Sequence, residues 1–233
     1  MGRSQAVHSA TLPENCMTRN DWICREYVES RSDLIVDALR EHVVITVMSV
    51  AIGFVVSILL ALTIRRWRRL AAPIFGTSTV LYTIPSIAMF ALLFTVTGLT
   101  VTTVVIGLVL YSLTILVRGI LTGLDGVPAD VREAAVGMGH DGVRLLLKVE
   151  LPLALPTIFA ALRVTAVSTV ALTTLGVLVG HGGLGQLIFQ GLQSNFRAEV
   201  LTASVLCVLL ALVADLVLVG AQRLGTPWRR TVS

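Results

Sequence analysis

The sequence predicts an all-α polytopic membrane protein with five transmembrane helices. Three observations carry this. The 233-residue chain is 55% hydrophobic and only 14% charged, whereas a globular domain holds about 25% charged residues. Its mean hydropathy is +0.86. Long charge-free stretches recur, and residues 70–117 contain no charged side chain at all. Backbone groups cannot stay unpaired in hydrocarbon, so spans of this composition are helices.

Each span follows from the need for about 20 apolar residues per crossing. Residues 43–64 give the first, stopped by Arg65-Arg66-Trp67-Arg68-Arg69. Residues 70–117 are too long for one crossing and make two, at 72–96 and 100–118, with a turn near Thr97-Gly98-Leu99-Thr100 and Arg118 at the end. The fourth covers 152–179 and contains Arg163. The fifth covers 199–221 and contains Asp215. Together they make one membrane domain over 34–225, with a short tail at 226–233.

Basic residues set the orientation. If the Arg65–Arg69 cluster is inside, the same side receives Arg118, Arg132, Arg144, Lys148, Arg223, Arg229 and Arg230, eleven basic residues in all. The other side receives Arg197 between spans and the five arginines of residues 1–42, ahead of the first span, which also carry seven acidic residues. The predicted topology is N-terminus out and C-terminus in. This distribution also argues against nucleic-acid binding, because the net charge of +4 sits mostly at span ends.

The N-terminal tail, residues 1–33, lacks the apolar core of a cleavable signal peptide, and residues 1–30 read as poorly ordered. Cys16 and Cys24 can pair in an oxidising compartment. The favoured reading is two unpaired thiols in a loose tail. Residues 33–41 form an amphipathic stretch expected to lie at the outer interface before the first span.

Between Arg118 and Pro152 lies a polar, helix-forming island at residues 122–151. Pro128 can open a short helix, and Gly139 can end it in a left-handed conformation. Asp141 can cap a second helix, and Pro152 starts the fourth span. Small Ala134 and Ala135 allow another surface to approach, with the Glu133 carboxylate beside them. An ordinary loop touching headgroups and water is the bland alternative.

The island resembles the signature of permease subunits of binding-protein-dependent ABC importers: Glu-Ala-Ala, three residues, Gly, nine residues, Ile, one residue, Leu-Pro. Here it reads Glu133-Ala134-Ala135, Gly139, Val149, Leu151-Pro152, with Val149 for Ile the one departure. The resemblance implies a type I ABC importer permease fold, similar to the methionine permeases. It also implies that the island is a coupling helix docking on a separate ATPase subunit. Further partners implied are a second permease subunit, identical or a sister chain, and an extracytoplasmic substrate-binding protein. The location implied is a bacterial inner membrane.

Two other segments resemble the osmoprotectant branch of that family: Leu81-Tyr82-Thr83-Ile84-Pro85-Ser86-Ile87-Ala88, and Gly180-His181-Gly182-Gly183-Leu184-Gly185-Gln186-Leu187-Ile188-Phe189. They imply uptake of glycine betaine, choline, carnitine or similar quaternary ammonium compounds, with a methionine-type permease as the nearest alternative. Tyr82 stands where that branch commonly has Gln. Pro85 should kink the second span and free a carbonyl, making Tyr82, Thr83, Pro85 and Ser86 candidates for the substrate path. No aromatic cluster for a quaternary ammonium is evident in the spans, so selection is expected mainly on the binding protein.

Competing chemistry is thin. Two GxGxxG matches, from Gly137 and Gly180, follow no strand and do not suit a dinucleotide. No Walker A sequence exists, so ATP and its hydrolysis belong to another chain, and no cofactor is expected on this one. No metal-ligand spacing and no catalytic constellation is present, which argues against an enzyme. An ion-driven carrier would want a coupling-ion site, for which Arg163 and Asp215 are slight support. Two readings of that pair are open: an ion pair between the last two spans, or two side chains snorkelling to the inner interface.

Overall fold

The computed structural model describes residues 15–227. Every regular element among them is helical. A short helix α1 (Arg25–Ser30) precedes the long α2 (Ser32–Arg66). A 3-10 turn at Arg68–Leu70 leads to α3 (Ala71–Thr83) and α4 (Ser86–Thr97), and then to α5 (Val101–Asp125). Next come α6 (Ala129–Gly137), α7 (Gly142–Leu145), a π-helical turn at Leu146–Glu150, and α8 (Leu151–Thr173). A 3-10 segment (Thr174–Val179), α9 (Leu184–Gln193) and α10 (Arg197–Gly225) complete the order.

Four of these stretches are long and apolar enough to cross a membrane, and the bent pair α3–α4 makes up to five. Helix α5 is the centre. It is buried along most of its length and packs against α2, α3, α4 and α8. Helix α10 packs on α8 and α9 but buries only Ala198 and Ala203, leaving a large apolar face open. At the end bearing Arg65–Arg69, Ile64, Leu121, Leu124, Ala154 and Ile158 close a core between α2, α5 and α8. Toward the other end, Ile45, Phe90, Val104, Leu108 and Val179 close a second.

Several expectations change. Residues 33–41 do not form a separate interfacial helix, because α2 runs unbroken from Ser32 to Arg66. No Gly or Pro interrupts residues 32–52, so nothing stops the helix there. The second span is broken rather than kinked: α3 and α4 meet at 101° around Ile84 and Pro85. The glycine-rich segment from Gly180 leads into a separate helix, α9, which buries Leu184, Leu187 and Gly191. Gly183 begins it at φ +52, where a Cβ would run into the backbone of His42.

The N-terminal segment is also more ordered than expected. Residues 1–14 lie outside the described residues, but Cys16 and Cys24 form a disulfide, contrary to the reading as free thiols. Asn20 explains why the segment is held: its Nδ2 donates to the Asn195 carbonyl, and its Oδ1 accepts from the Arg197 amide. Tyr27 is buried edge-on against Phe196, and burial pushes its phenol up to about 12. A tail docked this firmly on the α9–α10 elbow keeps its two thiols adjacent. Glu26 lies beside the disulfide, but bonded sulfurs are not free to ligate a metal.

Candidate functional site

The polar island forms a helical finger built from α6, α7 and the π turn. Pro128 precedes α6 with extended backbone, suiting its fixed φ and missing N–H. Gly139 ends the first helix at φ +83, a conformation that side chains resist, and the His140 amide returns to the Ala135 carbonyl. Asp141 sits at the start of α7, but its side chain makes no capping bond. Pro152 lies in the first turn of α8, just after the π turn that joins the finger to the span.

The signature residues divide by face. Glu133, Ala134 and Gly139 are exposed, whereas Ala135 turns inward at 2% exposure. Successive helical residues point about 100° apart, and here Ala135 is the one turned toward the spans, so it packs the finger and leaves the outer surface to its neighbours. The outer surface carries instead a set of open apolar side chains, Val136, Met138, Val143 and Leu147. Leu151 and Pro152 are half-buried where the finger meets the span.

The finger is joined to the spans by a buried carboxylate that sequence reasoning missed. Glu150, 2% exposed, receives two hydrogen bonds from Arg65 at the end of α2, at 2.7 and 2.9 Å. The Arg132 Nε of α6 lies 3.0 Å from the same carboxylate, and its Nη2 donates to the Leu124 carbonyl near the end of α5. The Glu150 carboxylate thus ties α2 and α6 to the root of α8, and Arg132 adds the link to α5. Beside it, Arg68 holds Asp125 through two bonds of 3.0 and 3.1 Å, a pairing that raises the Arg68 pKa. The available signal was an acidic residue at the very start of an apolar span, Glu150 before Leu151-Pro152; its partners lie 85 and 18 positions away.

Arg163 and Asp215 meet in a two-point pair at 2.7 and 2.8 Å, joining α8 to α10, with each side chain about a third exposed. At the break between α3 and α4, the Ile84 carbonyl accepts from the Tyr111 hydroxyl of α5. The Tyr82 ring stands edge-on to Tyr111, with centroids 6.0 Å apart. Tyr82, Thr83 and Pro85 are exposed and Ser86 is half-buried.

These features define a multi-pass helical membrane protein whose polar finger is braced against its spans. Residues 45–231 match the family described as binding-protein-dependent transport system inner membrane component, and the chain belongs to it. It is 35% identical over 205 residues to the glycine betaine/carnitine/choline transport system permease protein OpuCD of Bacillus subtilis, covering 88% of this chain and 90% of that one. It is 39% identical over 135 residues to the ergothioneine transport permease/ergothioneine binding protein EgtU of Helicobacter pylori, covering 58% of this chain and 24% of that one. Its fold is similar to the MetNI methionine ABC transporter in an inward-facing conformation, with TM-score 0.73 and 23% identity over 85% of this chain and 99% of the other. The type I permease fold expected from the polar island is therefore the fold observed.

Proposed function

We propose that this chain is the membrane subunit of an ATP-driven importer for quaternary ammonium osmoprotectants such as glycine betaine, choline and carnitine. The observation that carries the coupling role is the Glu150 junction. A finger fixed to α2 and α8 through a buried carboxylate, and to α5 through Arg132, moves those spans when it is pushed. In this reading α6 lies in the cytoplasm and seats Glu133, Ala134, Val136 and Met138 in a groove of a separate ATPase, which alone holds ATP. Closure of two ATPases draws two such fingers together and rocks the spans between inward- and outward-open states. The N-terminus and α9 face outward, toward a substrate-binding protein, in a bacterial inner membrane. A second permease subunit, identical or a sister chain, completes the path.

The substrate class rests on the osmoprotectant relatives. Ergothioneine is also a trimethylammonium betaine, so the relative that carries that name points to the same chemistry. Likeness to the methionine transporter extends to the fold alone. Uptake by the complex in proteoliposomes, with ATPase and binding protein supplied, tests the assignment. Trimethylammonium compounds should accumulate only with ATP, and methionine should not. ATP-independent accumulation driven by an ion gradient would refute it.

A further inference from the structure

We propose that Tyr82, with Tyr111 behind it and Arg118 one turn below, forms a contact for zwitterionic trimethylammonium substrates on their way through the membrane domain. This rests on the substrate class proposed above and adds where in the spans, and how, that class is recognised.

The break between α3 and α4 leaves backbone groups that no helix satisfies. Thr83 Oγ1 covers the Val80 carbonyl, and Tyr111 covers that of Ile84. The other carbonyls ending α3 have no intrahelical partner. Broken backbone at membrane depth is tolerated only where it is buried in protein or lines a water-filled cavity. Tyr82, Thr83 and Pro85 are exposed at the break, which leaves this face for a second subunit or for the path, and we assign it to the path. A helix C-terminus carries partial negative charge, and the Tyr82 ring presents a π face beside it. Both attract a quaternary ammonium.

Arg118 supplies the opposite charge. Arg65, Arg68, Arg132 and Arg163 each hold a carboxylate, whereas Arg118, within α5, has none among the described residues. Its guanidinium lies over the Phe75 ring at 5.0 Å and donates to Thr79 Oγ1 at 3.1 Å. Thr79 precedes Tyr82 by three positions, so the two share one face of α3 about 5 Å apart along the axis. That spacing suits a molecule with a carboxylate a few bonds from its trimethylammonium group.

Two substrates separate the roles. Choline has the ammonium without the carboxylate, and glycine betaine has both. In the complete complex, with saturating binding protein, Tyr82→Leu should lower transport per ATP about three- to tenfold for both compounds. Tyr82→Phe should retain it. Arg118→Gln should slow glycine betaine and leave choline unchanged. ATPase stimulation by the binding protein confirms that each variant is assembled. Wild-type transport of both substrates by Tyr82→Leu, or equal slowing of both by Arg118→Gln, would overturn the site alone. Failure of the unaltered complex to move any trimethylammonium compound would overturn the substrate class and this site with it.

Discussion

Glu150 and Arg65 meet through two hydrogen bonds of 2.7 and 2.9 Å, although 85 positions separate them. The pair closes a ring in which the last turn of α2 grips the root of α8 while Arg132 ties in α6. Removing one member of a buried ion pair costs about 3–5 kcal/mol, because the other charge is left uncompensated. Glu150→Gln should therefore uncouple ATP hydrolysis from uptake and lower the melting temperature of the purified subunit. Arg132→Gln should do less, since Arg65 still neutralises the carboxylate. Uptake per ATP measured for both variants checks the order of severity.

Gly139 holds φ +83 at the turn of the finger. A β-branched side chain in that conformation is strained by about 1–3 kcal/mol. Gly139→Val should redirect α7 relative to α6, leave membrane insertion intact, and reduce ATPase-linked uptake. Glu133→Arg, on the exposed surface, should spare stability and affect only docking. Co-purification of the ATPase with each variant distinguishes the two effects.

The Cys16–Cys24 disulfide supports an outward N-terminus, since such bonds persist in oxidising compartments. In intact cells with Cys207→Ser, a membrane-impermeant maleimide should label the chain only after treatment with reductant. Reduction should also speed trypsin cleavage at Arg19 and Arg25, whose side chains are already exposed, because the backbone around them comes loose from Asn195 and Phe196. Labelling confined to permeabilised cells would reverse the orientation.

Arg163 and Asp215 face each other across α8 and α10. An unpaired charge within a membrane helix is unfavourable. Arg163→Ala and Asp215→Ala should each lower the yield of folded subunit. The exchange Arg163→Asp with Asp215→Arg should recover part of it. A double exchange no better than either single change would show that the pairing contributes nothing.

The start of α5, the turn at Gly98 and the left-handed Gly139 were legible because each depends on local chemistry: an apolar run, a glycine, a proline nearby; the end of α5 was not, since the helix runs past Arg118 to Asp125. The Glu150 junction was not, since its geometry is made by helices distant in sequence. Ala135 was misjudged for a related reason: the motif marks residues but not which face of α6 they occupy. The disulfide and the folding of residues 15–31 depend on Asn20 and Tyr27 finding the α9–α10 elbow, a long-range contact with no local signal. Helix α9 was hidden because its glycine-rich approach and its amphipathic body adjoin the last span.

The central claim is that the outer surface of α6 is pressed by a separate ATPase. It is tested most directly by placing a single cysteine at Val136 or Met138, in a Cys207→Ser background, and cross-linking the assembled importer. Capture of the ATPase at these positions, with efficiency that changes on ATP addition, is the expected result. ATP-driven uptake that persists while neither position ever cross-links to the ATPase would contradict it.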